Sequence, residues 1–294
     1  TTPQPAPREC VVHDWVLAGR GWPKPVRVAV RLMAAVAWLL ACYGTLRVAQ
    51  LLTIGAPARR KRWAKTIARR WVAVARGILG VRLYRAGEIP EDPFFLVVNH
   101  HTWVEYFGIN LLMEARLVAM TEDGEFPIAG VLTRGLDPIP SDRTRENVPV
   151  VNRELIETIR RGESVMLAPE GAVTPGHTIR RYRAALLEAA VVTKTPVHYA
   201  SVHWRTPEGC LPPSKAVLFG PDIYVRDASG RIAASEIEAW GPPCPMLPRL
   251  LHLLALPHCE LVFRFGAAPI LGTERIALAN ALHAATMDIF TPSA

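Results

Sequence analysis

Apolar positions along this chain change their spacing twice, and the changes divide it into regions. Leu32 to Leu46 (LMAAVAWLLACYGTL) is an uncharged run bounded by Arg31 and Arg47. It is shorter than the about 20 residues that a helix needs to cross the hydrocarbon of a bilayer. Continuing through Val48–Ala56 supplies the length but encloses Arg47, at a cost of about 2–3 kcal/mol unless the side chain snorkels. Lys24, Arg27 and Arg31 precede the run, and Arg59, Arg60, Lys61 and Arg62 follow it. Basic residues on both flanks favour a segment that dips into one leaflet and returns over a simple span. Arg59–Arg82 then reads as a basic amphipathic helix. Trp63, Ile67, Trp71, Val74 and Ile78 share one face, and Lys65, Arg69, Arg70 and Arg76 add to the charge.

From Tyr84 onward the period shortens, and brief apolar runs alternate with helical patterns. Strands are expected at Phe94–Val98, Leu117–Met120, Val165–Ala168, Val197–Val202, Ala216–Phe219 and Leu261–Phe265. Helices are expected at Trp103–Met113, Ile128–Arg134, Val150–Arg160, Arg181–Val192, Pro245–Ala255 and Thr273–Phe290. Such alternation predicts an α/β fold: a mixed, largely parallel sheet flanked by helices, preceded by a membrane-associated helical hairpin. The expected division is 1–83 for the anchoring helices (apolar 28–56, basic 59–82) and 84–294 for the α/β domain. Residues 205–213 and 240–248 read as Pro-rich loops.

Charge supports this division. The net +8 resolves into +14 for residues 1–87, where Glu9 and Asp14 are the only acids, and −6 for residues 88–294. A basic N-terminal third with tryptophans on its apolar side predicts an interfacial helix on anionic phospholipid. A nucleic-acid arm is disfavoured by the adjoining apolar hairpin, and a cleavable signal ending at Ala56-Pro57-Ala58 by Arg47 and the basic block beyond it. The five cysteines are scattered, without the spacing of metal ligands, and read as buried thiols of a reducing compartment. No metal site is expected.

The chemistry gathers where the first body strand ends, at Asn99-His100-His101-Thr102-Trp103-Val104-Glu105. Open α/β sheets place their sites at such strand ends. On one regular helix His100 and Glu105 would point about 140° apart. They meet if His100 lies in the strand–helix turn and Glu105 in the first helical turns. The carboxylate would then fix the imidazole tautomer and stabilise the imidazolium, leaving the other ring nitrogen to accept a proton from an alcohol. His101 has Tyr106, not a carboxylate, at the same offset. Downstream lie Arg143 in Ile139-Pro140-Ser141-Asp142-Arg143, suited to an anionic group; Pro169-Glu170-Gly171 after an apolar run; and Pro196 at the start of the next. His177, His198 and His203 receive no role.

The ordered set His100-x4-Glu105, Arg143, Pro169-Glu170-Gly171 and Pro196 resembles the glycerolipid acyltransferases, including 1-acylglycerol-3-phosphate and lyso-ornithine lipid acyltransferases, from about Phe94 to Val202. The resemblance implies an enzyme that moves a fatty acyl chain from a thioester to the hydroxyl of a lysolipid, with no bound cofactor. The donor would be acyl-CoA or an acyl carrier protein, the latter then a partner. His100 would be the base and Glu105 its orienting partner. Arg143 would hold the acceptor's phosphate or other anionic head, Glu170 and Gly171 would position the acceptor, and Pro196 would shape the acyl pocket. An anchor of two N-terminal helices on the cytoplasmic face of a bacterial inner membrane is also implied. Two positions depart from the family pattern: most members carry Asp at position 105, and many carry Thr where this chain has Ala172. Two other readings remain: an inactive, membrane-bound lipid-binding or scaffold relative, and a lipid A precursor as acceptor.

Overall fold

The computed structural model describes residues 8–17, 21–102, 104–120, 136–142, 144–171, 173–174, 176–217 and 246–293. Among the described residues, eight strands form one sheet: β1 Glu9–His13, β2 Val81–Ala86, β3 Phe95–Val98, β4 Arg116–Met120, β5 Ile139–Ser141, β6 Val165–Leu167, β7 Val197–Arg205 and β8 Cys259–Phe265. Their spatial order is β1-β2-β8-β7-β3-β6-β4-β5. Only the β1–β2 and β7–β8 pairs are antiparallel, so the expected mixed, largely parallel sheet is present. All four residues of β3 (FLVV) are buried, as a continuous apolar strand must be when helices cover both sheet faces.

The helices among the described residues are α1 Lys24–Leu52, α2 Pro57–Leu79, α3 Val104–Leu112, α4 Val148–Arg160, α5 Glu188–Thr193, α6 Pro213–Ala216, α7 Met246–Ala255 and α8 Arg275–Asp288. One sheet face packs Leu96, Val98, Trp204 and Phe263 against α3 and α7, through residues such as Ile109 and Leu253. The other packs Phe95, Val97 and Leu167 against α4 and α8, through Leu155, Leu278 and Leu282.

Several expectations change. Residues 213–216 form a helical turn where a strand was expected from Ala216, because Pro212 and Pro213 start a turn and deny the ladder its donors. The expected helix over Arg181–Val192 is regular only in α5, with a 3-10 turn at Ala185–Leu187 before it. The expected helix Ile128–Arg134 lies outside the described residues. Strands β1, β2 and β5 were not anticipated. The expected boundary at 83/84 falls inside β2, and β1 pairs with β2, so residues from the N-terminal region complete the sheet. Of the cysteines, Cys42 and Cys259 are buried, but Cys10 is exposed.

The N-terminal hairpin departs most from its sequence reading. Helix α1 is unbroken over 29 residues and packs beside α2. Arg27 and Arg31 do not face outward; they are buried, with Arg31 fully enclosed. Arg31 donates to the carbonyls of Leu17 (3.0 Å), Leu254 (3.0 Å), Leu256 (2.8 Å) and Pro257 (3.0 Å). Arg27 donates to Trp22 (2.7 Å) and Ala255 (2.5 Å). The last carbonyls of a helix lack internal partners and carry partial negative charge, so two guanidinium groups over the end of α7 satisfy both needs. Burial lowers the Arg31 pKa only to about 10, so it stays charged at neutral pH. Gly80 makes room for it: this residue has φ +80°, and a Cβ there would strike the Arg31 guanidinium.

Helix α2 turns Ala68, Val72 and Arg76 to the protein, with Arg76 bonded to the carbonyls of Trp15 (3.0 Å), His13 (3.4 Å) and Val81. Of the expected apolar stripe, Ile78 is buried, Trp63, Ile67 and Trp71 are half-buried, and Val74 is exposed. Lys65 and Arg69 (3.2 Å) pair with Glu114. Their charge is therefore partly committed within the protein.

Candidate active site

His100 follows the C-terminal end of the central strand β3, and Glu105 sits in the first turn of α3. Placing one residue in the turn and the other on the helix brings them together: His100 Nδ1 lies 3.1 Å from Glu105 Oε2. The same oxygen accepts the backbone N–H groups of His101 (2.8 Å) and Thr102 (3.2 Å). Oε1 accepts the indole N–H of Trp204 at 2.7 Å. A carboxylate at a helix N-terminus, ringed by donors, is held ionised. Burial alone would raise the Glu105 pKa. The adjoining imidazoles of His101 and of His100, the latter through its hydrogen bond, reverse this and bring it to about 2.

Because this pKa lies below the ordinary value of 4.5, its stabilising contribution is complete above about pH 4.5 and is lost as the pH falls toward 2. The span corresponds to on the order of 3 kcal/mol. Glu105→Gln, which cannot titrate, should therefore melt well below the parent at pH 6, with the gap narrowing toward pH 3. A gap that stays constant over that range in thermal melts would disprove an ionised, strongly bound Glu105.

His101 also touches the carboxylate, with Nδ1 3.2 Å from Oε1 but too oblique for a hydrogen bond. The Asn99 amide fixes the tautomer. Its Oδ1 accepts from the Val202 N–H (2.7 Å) and its Nδ2 donates to the Val202 carbonyl (3.0 Å). Nδ2 also lies 3.0 Å from His101 Nε2. As Nδ2 has only hydrogens to offer, Nε2 must accept, and neutral His101 carries its proton on Nδ1, toward Glu105. Tyr106 packs on the His100 ring, with centroids 4.6 Å apart. The offset count missed both contacts, since it treated His101 and Tyr106 as a pair.

Glu170 is buried and turned inward. Oε1 accepts the backbone N–H of His100 (2.7 Å) and Oε2 that of Arg180 (2.6 Å), tying these two peptides together. Burial raises its pKa to about 7, against the pull of His101 and the two backbone donors. Gly171 has φ +69°, and a Cβ there would meet Arg183 Nε at 3.0 Å, so this turn requires glycine. Pro196 is exposed at the opposite end of the sheet. It precedes Val197, which pairs with Phe95, and six residues of strand put it about 20 Å from His100 along the chain direction. The structure therefore does not bring Pro196 to the His100–Glu105 pair. Arg143 lies outside the described residues, just after β5.

The C-terminal segment closes the back of the site. Ser293 donates its N–H to the Gly176 carbonyl (2.8 Å), and its hydroxyl accepts the Trp204 backbone N–H (3.0 Å). His203 beside it is held neutral, its pKa lowered to about 4 by burial and then by Arg264 and Arg205.

The chain is similar to known acyltransferases in sequence and in fold. A family model described as Acyltransferase matches residues 80–202. The lyso-ornithine lipid O-acyltransferase of Pseudomonas aeruginosa is 25% identical over 170 residues, covering 58% of this chain and 65% of that protein. Its counterpart in Rhizobium meliloti is 27% identical over 225 residues, 74% and 71% of the two chains. The 1-acyl-sn-glycerol-3-phosphate acyltransferase of Neisseria meningitidis is 26% identical over 126 residues, 41% of this chain and 49% of that one. The crystal structure of the 1-acyl-sn-glycerophosphate acyltransferase of Thermotoga maritima shares the fold, with a TM-score of 0.56 at 15% identity over 90% of this chain and 94% of that one. Residues 80–202 thus match the Acyltransferase family, and the chain resembles the glycerolipid acyltransferases.

Proposed function

We propose that this protein is a membrane-associated O-acyltransferase that moves a fatty acyl group from a thioester, on coenzyme A or an acyl carrier protein, to a lysolipid hydroxyl. The observation that carries the reading is the buried 3.1 Å contact between His100 Nδ1 and Glu105 at the end of β3. With Nδ1–H committed to an ionised carboxylate, Nε2 is the nitrogen left to accept a proton. As the acceptor oxygen attacks the thioester carbonyl, its proton passes to Nε2 and the carbon–oxygen bond forms. Collapse of the tetrahedral adduct breaks the carbon–sulfur bond, and the imidazolium returns the proton to the departing thiolate. Glu105 stabilises the transient positive charge, and Glu170 holds the peptide that carries the base.

The hairpin supports a lipid-facing position. Met33, Leu40, Leu51 and Ile54 are each more than 60% exposed, and α1 is long and apolar enough to cross a membrane. Both hairpin ends return to the body, and the basic residues 59–62 stand just beyond the turn. This favours a hairpin lying in one leaflet, on the cytoplasmic face of the bacterial inner membrane, over a crossing. Arg143 is assigned to the acceptor's anionic head, and Gly171 to positioning the acceptor.

Incubating the purified protein in mixed micelles with radiolabelled acyl-CoA or acyl carrier protein, against lyso-ornithine lipid, lysophosphatidic acid and a lipid A precursor, tests the reading. One acceptor is expected to yield diacylated product with at least one donor. No product with any pair would reject it in favour of an inactive lipid-binding relative.

A further inference from the structure

The Glu105 side chain has three torsions, so its carboxylate has several planes to populate. One oxygen, Oε2, is fixed by the two backbone N–H groups of residues 101 and 102 and by His100. The other is held from the sheet. Trp204 is fully buried on β7, paired with Leu261 of β8, and its indole N–H reaches Glu105 Oε1 at 2.7 Å. Its own backbone N–H is secured by Ser293. An indole N–H donates only, has no rotor of its own, and makes its strongest bonds to ionised acceptors. The second group near Oε1, His101 Nδ1, approaches too obliquely to fix it.

We propose that Trp204 is a positioning residue that locks the plane of the Glu105 carboxylate, so that Oε2 faces His100. It touches neither substrate nor reacting atoms and acts through Glu105 alone. The inference rests on the His100–Glu105 reading above. Its sequence signal is non-local: 99 residues separate donor and acceptor.

Three changes separate this role from simple packing. Trp204→Phe removes the donor and keeps an aromatic ring. Benzothienylalanine at 204, with sulfur in place of the indole N–H, removes the donor while keeping the shape, and covers the case in which phenylalanine fails to fold. Each is expected to lower kcat about 10–100-fold at unchanged KM for donor and acceptor, as displacement of a catalytic group does. In a Glu105→Ala background, followed by radiolabel accumulation, the same changes should cost less than twofold, because the group they act on is gone. Equal losses in both backgrounds, or full activity of the benzothienylalanine variant, overturn the proposal. A fully active His100→Ala enzyme would instead overturn the dyad itself, so the two failures are distinguishable.

Discussion

Replacing His100 with alanine is expected to lower kcat for acyl transfer about 10²- to 10⁴-fold, the range general-base catalysis supplies. Loss of the imidazole leaves Glu105 three donors outside His100: the backbone N–H groups of His101 and Thr102 and the Trp204 indole. The strand end itself stays tied through the N–H of residue 100 to Glu170 and its carbonyl to Thr174. Fold and lipid association should therefore survive, and KM should change little. Initial rates with labelled thioester, together with vesicle co-sedimentation, measure both. Vesicle binding unchanged with activity intact would reject His100 as the base. Binding lost along with activity would show that the substitution unfolds the site.

Arg31→Leu is expected to be the most destabilising single substitution in the N-terminal region. It leaves four carbonyls, three of them within residues 254–257, without their shared donor. Each unsatisfied buried acceptor costs about 1–3 kcal/mol before water relieves any of them. A net loss on the order of 3–5 kcal/mol is typical when one partner of a buried charged arrangement is removed. For a chain of this size that corresponds to roughly 5–8 °C in Tm. Arg31→Lys, which keeps the charge but has fewer donors, should fall between. A shift of less than about 2 °C in calorimetry would show that the carbonyls find other partners.

The elements that sequence periodicity reveals are those whose partners are local or generic. Strand β3 and helices α3 and α4 announce themselves because uniform burial or one-sided packing leaves a regular apolar pattern. Val81–Tyr84 also alternates, but Arg82 and Arg85 resemble the end of the basic helix, so β2 merges into it. Strand β5 is three residues long with Pro140 at its centre, too short for any pattern. The dyad is legible because its two members lie five residues apart. Trp204 is not, since only the parallel β3–β7 register brings it to Glu105. Arg27 and Arg31 mislead for a related reason. Beside an apolar run they look like lipid-facing flank, whereas their acceptors on α7 lie more than 220 residues away.

That clasp also bears on how the reaction would be metered. A hairpin joined to its body by a flexible linker lets the reactive group wander relative to whatever holds the hairpin. Here two guanidinium groups fasten α1 to the end of α7, and α2 runs directly into the sheet through Gly80. Once the hairpin is seated in lipid, the height and tilt of His100 above the acyl chains become fixed dimensions of the molecule. Turnover would then depend on bilayer thickness and lateral pressure, with the lipid setting the stroke of a rigid tool.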